Sequence, residues 1–524
     1  MKIYISKVLS NKMVMRLLLF SAFFFFYVLL GGCIIDSAPY GNCFFGADNG
    51  RVFIDLSQVQ ADHGRVKVHP LFILLVQPFS LLLSPQFVWY GVRYGVVMIQ
   101  SLSGAMSVLV FNMILENLKI EKKLCILMTL IFGFSFTNMI FSTVPETFIF
   151  AQIGLIVFWF YISSVSEFSY KLKKVEIFNL IFLGIICFGI TITNYLWYLV
   201  GLTYLLFKRG RNIKYNVKIF TGINFVNCLG IIVLCKIQSF IWKGAPPFWN
   251  SIFDSLFHNI PYEETNYMNW SISFSKMILW IKQTLLYPLL CPDVYLIPEG
   301  NEYRPILFGK YPDIIAIVFF LFMATVVIGI MSYIVKLIIK RYKDLFFASV
   351  FLVWIGNMCL HYIYGAEEAF IYSSHYYFFF LLLVGYTFNT VESQIVRKCL
   401  RVDLIACVVI EFINNLWRFF QTFNLAMERI DMPYSFVQES LRFLVKFIAV
   451  MIIVLLSLAG LIVYFSNRRE QNRKQLLFEK DNTGKRACAC VSERDRISVI
   501  ICGCACGYIV LLSLMAGYIC YTAV

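Results

Sequence analysis

Residues 71–83 read LFILLVQPFSLLL, apolar from end to end but only thirteen residues long. An α-helix rises 1.5 Å per residue and a bilayer's hydrocarbon core is about 30 Å thick, so a crossing helix needs about 20 apolar residues. The segment is therefore read as a juxtamembrane helix at an interface. That choice decides the topology, because a full crossing here would place Lys119, Lys122 and Lys123 outside and invert every later loop.

Working outward from this point, long apolar runs recur along all 524 residues. The chain is 60 % hydrophobic and 14 % charged, whereas soluble domains average about 25 % charged, so a water-soluble enzyme is excluded. Thirteen spans are expected, near 17–35, 87–115, 124–141, 148–165, 177–193, 195–207, 219–240, 313–335, 345–362, 375–391, 403–419, 443–465 and 498–520. Lys2, Lys7, Lys12 and Arg16 keep the amino terminus in the cytoplasm. Alternating from there, the cytoplasmic segments hold 31 of the 45 Lys and Arg but only 12 of the 30 acids. The net charge of +15 is thus a positive-inside signal, and nucleic acid is not needed to explain it. The fold class is an all-α polytopic membrane protein of about 13 transmembrane helices, with juxtamembrane helices in the first outer loop.

Leu30-Gly31-Gly32-Cys33 after a basic start and an apolar run is similar to a lipoprotein signal, which makes Cys33 a lipidation candidate. With so many later spans an uncleaved first helix is expected. Most of the sixteen cysteines lie in apolar runs, where Cys packs as a small hydrophobe. Cys33 and Cys43 are the one pair read as open to an outer disulfide. The CxC spacings at Cys488/Cys490 and Cys502/Cys504/Cys506 do not match zinc-site spacing.

The chemistry-bearing residues that remain fall on the outer side. ADNGRVFIDLSQVQADHGRVKVHP (47–70) places Asp48, Asp55 and Asp62 before His63, Arg65, Lys67 and His69. Carboxylates can accept a proton from an acceptor hydroxyl, and cations can neutralise a phosphate leaving group. The plainer alternative is an amphipathic interfacial helix with Val52, Phe53, Leu56 and Val59 on lipid. STVPETFIF (142–150) sets Glu146 behind Pro145, where it either caps the next helix or serves a site at the membrane edge. NMCLHYIYGAEEAFIYSSHYY (357–377) joins Glu367 and Glu368 with His361 and His375, residue types that could also hold a metal. In the longest outer loop, 241–312, Arg304 is a candidate phosphate clamp because guanidinium pairs bidentately with phosphate.

The order of these parts resembles the amino-terminal module of the GT-C membrane glycosyltransferases, such as protein O-mannosyltransferases and lipid A aminoarabinose transferases. The likeness rests on a first span, an outer acid (Asp48-Asn49), His69-Pro70-Leu71 entering a juxtamembrane helix, a long span with Arg93 near its outer end, and a second outer acid, Glu146. It covers about residues 14–165. Asp48-Asn49 departs from the Asp-Glu pair of that superfamily, and His69-Pro70-Leu71 carries one proline where two are usual. The resemblance implies a sugar transferred from a polyprenyl-phosphate donor to an acceptor on the non-cytoplasmic face of a bacterial inner membrane. Asp48 would be the base of an inverting displacement, with Glu146 orienting the site. Arg51, Arg65, Lys67, His69, Arg304, Glu367, Glu368, His361 and His375 would bind substrate, with membrane lipids as surroundings and a divalent metal as an optional cofactor. Three modules follow: 1–165, GT-C-like, with the catalytic outer loops; 166–465, transmembrane, with loop 241–312 and the HYIYGAEEAF segment; and 466–524, a basic cytoplasmic loop plus the last helix. Two readings compete with the transferase: a transporter or flippase of a lipid-linked or small polar solute, and a non-catalytic scaffold of the cell envelope. No Walker or Rossmann signature appears, which argues against a nucleotide-sugar donor in the cytoplasm.

Overall fold

The computed structural model describes residues 12–37, 41–84, 91–165, 172–209, 212–250, 268–297, 305–311, 313–339 and 344–430. The expected spans 443–465 and 498–520, the basic segment 466–497 and Arg304 lie outside these residues. Helices follow in the order α1 (Lys12–Ile34), α2 (Asn49–Ser57), a 3-10 turn (Gly64–Lys67), α3 (Phe72–Leu82), α4 (Gly91–Asn117), α5 (Lys122–Phe134), α6 (Phe136–Phe141) and α7 (Phe148–Val165). After these come α8 (Lys174–Ile190), α9 (Ile192–Lys208), α10 (Ile213–Ile241), α11 (Phe274–Ile281), α12 (Asp313–Ile339), α13 (Leu345–Ile363), α14 (Tyr377–Asn389) and α15 (Gln394–Ile430). A two-stranded antiparallel ribbon, Val294–Leu296 with Ile306–Phe308, is the only sheet among the described residues.

The protein is mostly helical, and among the described residues five helices, those here called α1, α4, α7, α10 and α13, are long and apolar enough to cross a membrane. Their surroundings differ as their roles do. The apolar window of α4 is 78 % buried, which makes it the central post against which α1, α5 and α7 pack. That of α10 is 17 % buried, and it shows Phe225, Val233 and Phe240 to the outside. Such an apolar face is costly in water and natural in lipid.

The expected span 124–141 is two helices. Ser135 leaves the helical conformation and its Oγ accepts from the Asn138 N–H at 3.4 Å, so one residue ends α5 and caps α6. The segment expected to be a short helix forms one, α3. It does not lie free, because Phe72, Ile73, Leu74, Val76, Gln77 and Pro78 are buried in the protein. Likewise Val52, Phe53 and Leu56 of α2 face the protein core rather than lipid. Cys33 and Cys43 are both buried free thiols, which overturns a disulfide between them. Cys33 lies inside the unbroken α1.

Ion pairs among the described residues sort into two ends of the bundle. At one end are Asp36–Arg93, Asp48–Arg51, Asp55–His63 and Asp293–Arg418. At the other are Arg16–Glu116, Glu121–Arg401, Lys336–Glu392 and the buried Glu176–Arg209 pair. Each pair joins residues that alternation along the sequence places on one side. The long α15 runs between the ends, with Arg401 on Glu121 and, near its far end, Arg429 close to Gly41.

Candidate functional site

The site begins with a tight turn before α2. Gly41 and Gly46 take positive φ values of 93° and 87°, a region that costs a side chain energy but not glycine. Asn49 closes the turn, accepting from the Cys43 N–H at 3.0 Å and donating to the Gly41 carbonyl at 2.8 Å. The ribbon clamps it from outside: Phe45 N–H donates to Ile306 O at 3.1 Å, and Ile306 N–H donates to Cys43 O at 2.8 Å. These bonds fix Asp48 at the amino-terminal edge of α2.

Asp48 gathers the first cluster. Its Oδ2 accepts from Arg51 at 2.5 Å and from Arg65 on the 3-10 turn, while Oδ1 accepts from Asn42 at 2.9 Å. Burial opposes ionisation of Asp48, but the two guanidiniums outweigh it and hold the carboxyl below its usual range. The Asp48 backbone N–H meanwhile donates to Glu146 Oε2 at 2.6 Å. The two acids named from separate loops therefore share one hydrogen-bonded unit.

Glu146 is 3 % exposed. Its Oε1 accepts from the Thr147 N–H at 2.7 Å and lies 3.1 Å from the Thr147 hydroxyl. Gln100 on α4 donates to its backbone carbonyl at 3.0 Å. Burial, and then the Asp48 charge, push the Glu146 carboxyl up to about 7 against the pull of those N–H donors and of Arg51. A carboxyl poised there can accept or give a proton near neutrality.

His69 continues the chain. Its Nδ1 lies 2.7 Å from the Ile190 carbonyl, which can only accept, so the proton sits on Nδ1 and Nε2 offers a lone pair. That lone pair faces the Thr147 hydroxyl at 3.3 Å. Glu146, Thr147 and His69 are thus linked through one hydroxyl that donates to either neighbour. The expectation that His69 is a cation is corrected here. Burial and the nearby arginines drive its pKa down to about 3, against the Ile190 hydrogen bond, so the imidazole is neutral.

The 361–377 segment forms the next wall. Glu368 packs on Gly46, so close that a Cβ there would lie 3.2 Å from its Cδ. Although the side chain is exposed, loss of water where it packs on Gly46, then the Asp48 and Glu367 charges, raise the Glu368 carboxyl. Glu367 is exposed, and its backbone carbonyl accepts from Gln283 at 2.7 Å. His375 is buried and stands 5.4 Å, ring to ring, from Phe148, the residue after Thr147. His361 stacks on Tyr372 at 4.3 Å and lies 6.3 Å from His375.

The structure thus brings Asp48, Arg51, Arg65, His69, Glu146, Glu368, His361 and His375 to one end of the bundle. Lys67 lies half-buried on the same turn as Arg65. Asp55 is withdrawn from the site by its 2.7 Å contact with His63, and Asp62 is exposed. Four contributors escaped the sequence reading: Asn42, Gln100, Thr147 and Gln283. Only Thr147 carried a signal, as the hydroxyl adjoining Glu146.

A metal finds no ligand set here. Among the described residues no group of three or more His, Cys, Asp and Glu side chains could hold one. Both Asp48 oxygens are occupied by cationic or amide donors, and two guanidiniums beside a carboxylate repel a dication. Comparison with protein-family models, with curated proteins and with solved structures finds no match.

Proposed function

We propose that the chain is a multi-pass membrane glycosyltransferase of the GT-C type, with about 13 crossings. In this reading it moves a sugar from a polyprenyl-phosphate donor to an acceptor at the non-cytoplasmic face of a bacterial inner membrane. The observation that carries the reading is the shared unit of Asp48 and Glu146, with Arg51 and Arg65 on the same carboxylate. Inverting transfer needs a base near the acceptor hydroxyl and cations at the departing phosphate. Arg51 and Arg65 are the cations in this proposal, since guanidinium matches phosphate oxygens.

The Asp48 carboxylate is the base, and it is weak while two guanidiniums face it. A donor phosphate that draws those guanidiniums toward itself raises the basicity of Asp48 when the leaving group is in place. Glu146 orients Asp48 through the backbone N–H and exchanges protons through Thr147. The apolar helices supply surface for the prenyl chain. The test is transfer from a polyprenyl-phosphate sugar in washed membranes. Asp48→Asn should abolish it, and full activity in that variant would remove Asp48 from the base role.

One observation favours transport as a second reading. Glu411 lies within α15, is fully buried, and neither carboxylate oxygen has a hydrogen-bond partner among the described residues. Ionisable groups inside a membrane helix commonly mark ion or substrate paths. Reconstituted vesicles that move a lipid-linked sugar without transferring it would favour this reading.

A further inference from the structure

At the end of the bundle opposite Asp48, a shallow surface groove runs between α5, α14 and α15. Glu121, Asn389, Arg397 and Arg401 form its polar part, and Leu124, Phe388, Leu400 and Leu404 its apolar part. The polar part is built, not incidental. Arg401 Nη2 reaches both oxygens of Glu121, at 2.7 and 2.6 Å, and Asn389 accepts from the Glu121 N–H at 3.0 Å. The Glu121 charge is thereby answered by Arg401. Arg397 donates from Nε to the Val391 carbonyl, and its terminal nitrogens meet no other partner among the described residues. Among the described residues, therefore, no acid answers the Arg397 charge above this apolar floor, and Lys122 and Lys123, which follow Glu121, are exposed.

We propose that this groove binds an anionic phospholipid of the cytoplasmic leaflet, with the headgroup phosphate on Arg397 and the acyl chain along Leu124, Leu400 and Leu404. Charge complementarity and the amphipathic lining select this occupant, because a guanidinium pairs two phosphate oxygens at once and basic pockets between helices suit anionic headgroups. The proposal rests on the membrane reading above but not on transferase chemistry.

Detergent-solubilised full-length protein, first shown to remain in membranes after alkaline washing, would be titrated with phosphatidylglycerol, phosphatidylcholine or inorganic phosphate and read by native mass spectrometry. Loss from membranes on that wash would overturn the membrane reading, and the site with it. One phosphatidylglycerol should be retained in preference to phosphatidylcholine. Arg397→Gln should weaken that retention about fivefold, the weight of one basic side chain at an anionic surface. Leu400→Trp keeps the charge and fills the floor, and should weaken it as well. Lys174→Gln, an exposed basic residue outside the groove, should leave it unchanged. Equal retention of phosphatidylcholine, unaltered retention in both groove variants, or displacement by millimolar inorganic phosphate would each overturn the proposal.

Discussion

The backbone N–H of Asp48 donates to the Glu146 carboxylate at 2.6 Å across 98 residues of sequence. The bond comes from the main chain, so it survives any change of the Asp48 side chain. What Glu146 reads is the position of the turn, and substitutions at the two acids should not have equivalent effects.

Glu146→Gln keeps an oxygen for that N–H but removes the titrating group. Transfer in membranes should fall about a hundredfold or more, the usual scale for losing a proton-handling side chain. Its amide nitrogen replaces the acceptor of the Thr147 N–H, so thermal stability of the detergent-solubilised protein should fall by about 1–3 kcal/mol, the cost of one unsatisfied buried donor. Wild-type rates in this variant would leave Glu146 a purely structural role.

Activity should rise with pH through about 7, where Glu146 loses its proton. Stability has the opposite sign. The Glu146 pKa is raised on folding, so between its ordinary value near 4.5 and about 7 the folded state binds more protons than the unfolded chain. Stability therefore declines as pH rises through that window. His69, depressed from 6.5 to about 3, makes the folded state lose stability as pH falls below 6.5. Melting curves of wild type and Glu146→Gln from pH 4.5 to 8 would separate the two, since only the former should lose stability on the alkaline side of this window.

Gly46→Ala sets a side chain at a φ of 87° and against Glu368. It should cost about 1–3 kcal/mol, the range for a strained backbone residue, seen as a lower melting temperature. Ala at Gly222, which meets nothing within 4 Å, is the matched control.

Arg209 and Glu176 form a two-pronged contact at 3.0 and 3.3 Å with both side chains buried. Arg209→Ala strands a buried carboxylate and should cost about 3–5 kcal/mol, whereas replacing both with Met and Leu should recover most of it. Size-exclusion after heating would measure the order of the three proteins.

Glu411→Gln should leave sugar transfer unchanged, because α15 carries Glu411 far from the Asp48 unit. A selective loss of solute movement in vesicles, with folding intact, would move the balance toward transport.

Much of this arrangement was legible in the residues. The eleven expected spans within the described residues each meet helix, and five of those helices are long and apolar enough to cross a membrane, where the backbone must satisfy its own hydrogen bonds. Asp48 and Glu146 were legible as acids out of place beside apolar helices. The neutrality of His69 was not, since it depends on burial and on the Ile190 carbonyl 121 residues away. The break at Ser135 was hidden because one hydroxyl in an apolar stretch does not disturb its hydropathy. The pairing of Asp55 with His63 was not legible either, since only the fold sets the two side chains against each other.

The length of α15 has its own consequence. Its 37 residues form one unbroken helix, about 56 Å at 1.5 Å per residue, nearly twice a hydrocarbon core of about 30 Å. One rod thus sets the height at which the Gly41 turn rides relative to the Glu121 collar, and loops alone do not determine that spacing. Deleting one helical turn between Arg401 and Arg429 would pull its two moorings about 5.4 Å closer, while adding a turn would separate them. Bilayers of graded thickness offer the same strain without altering a residue.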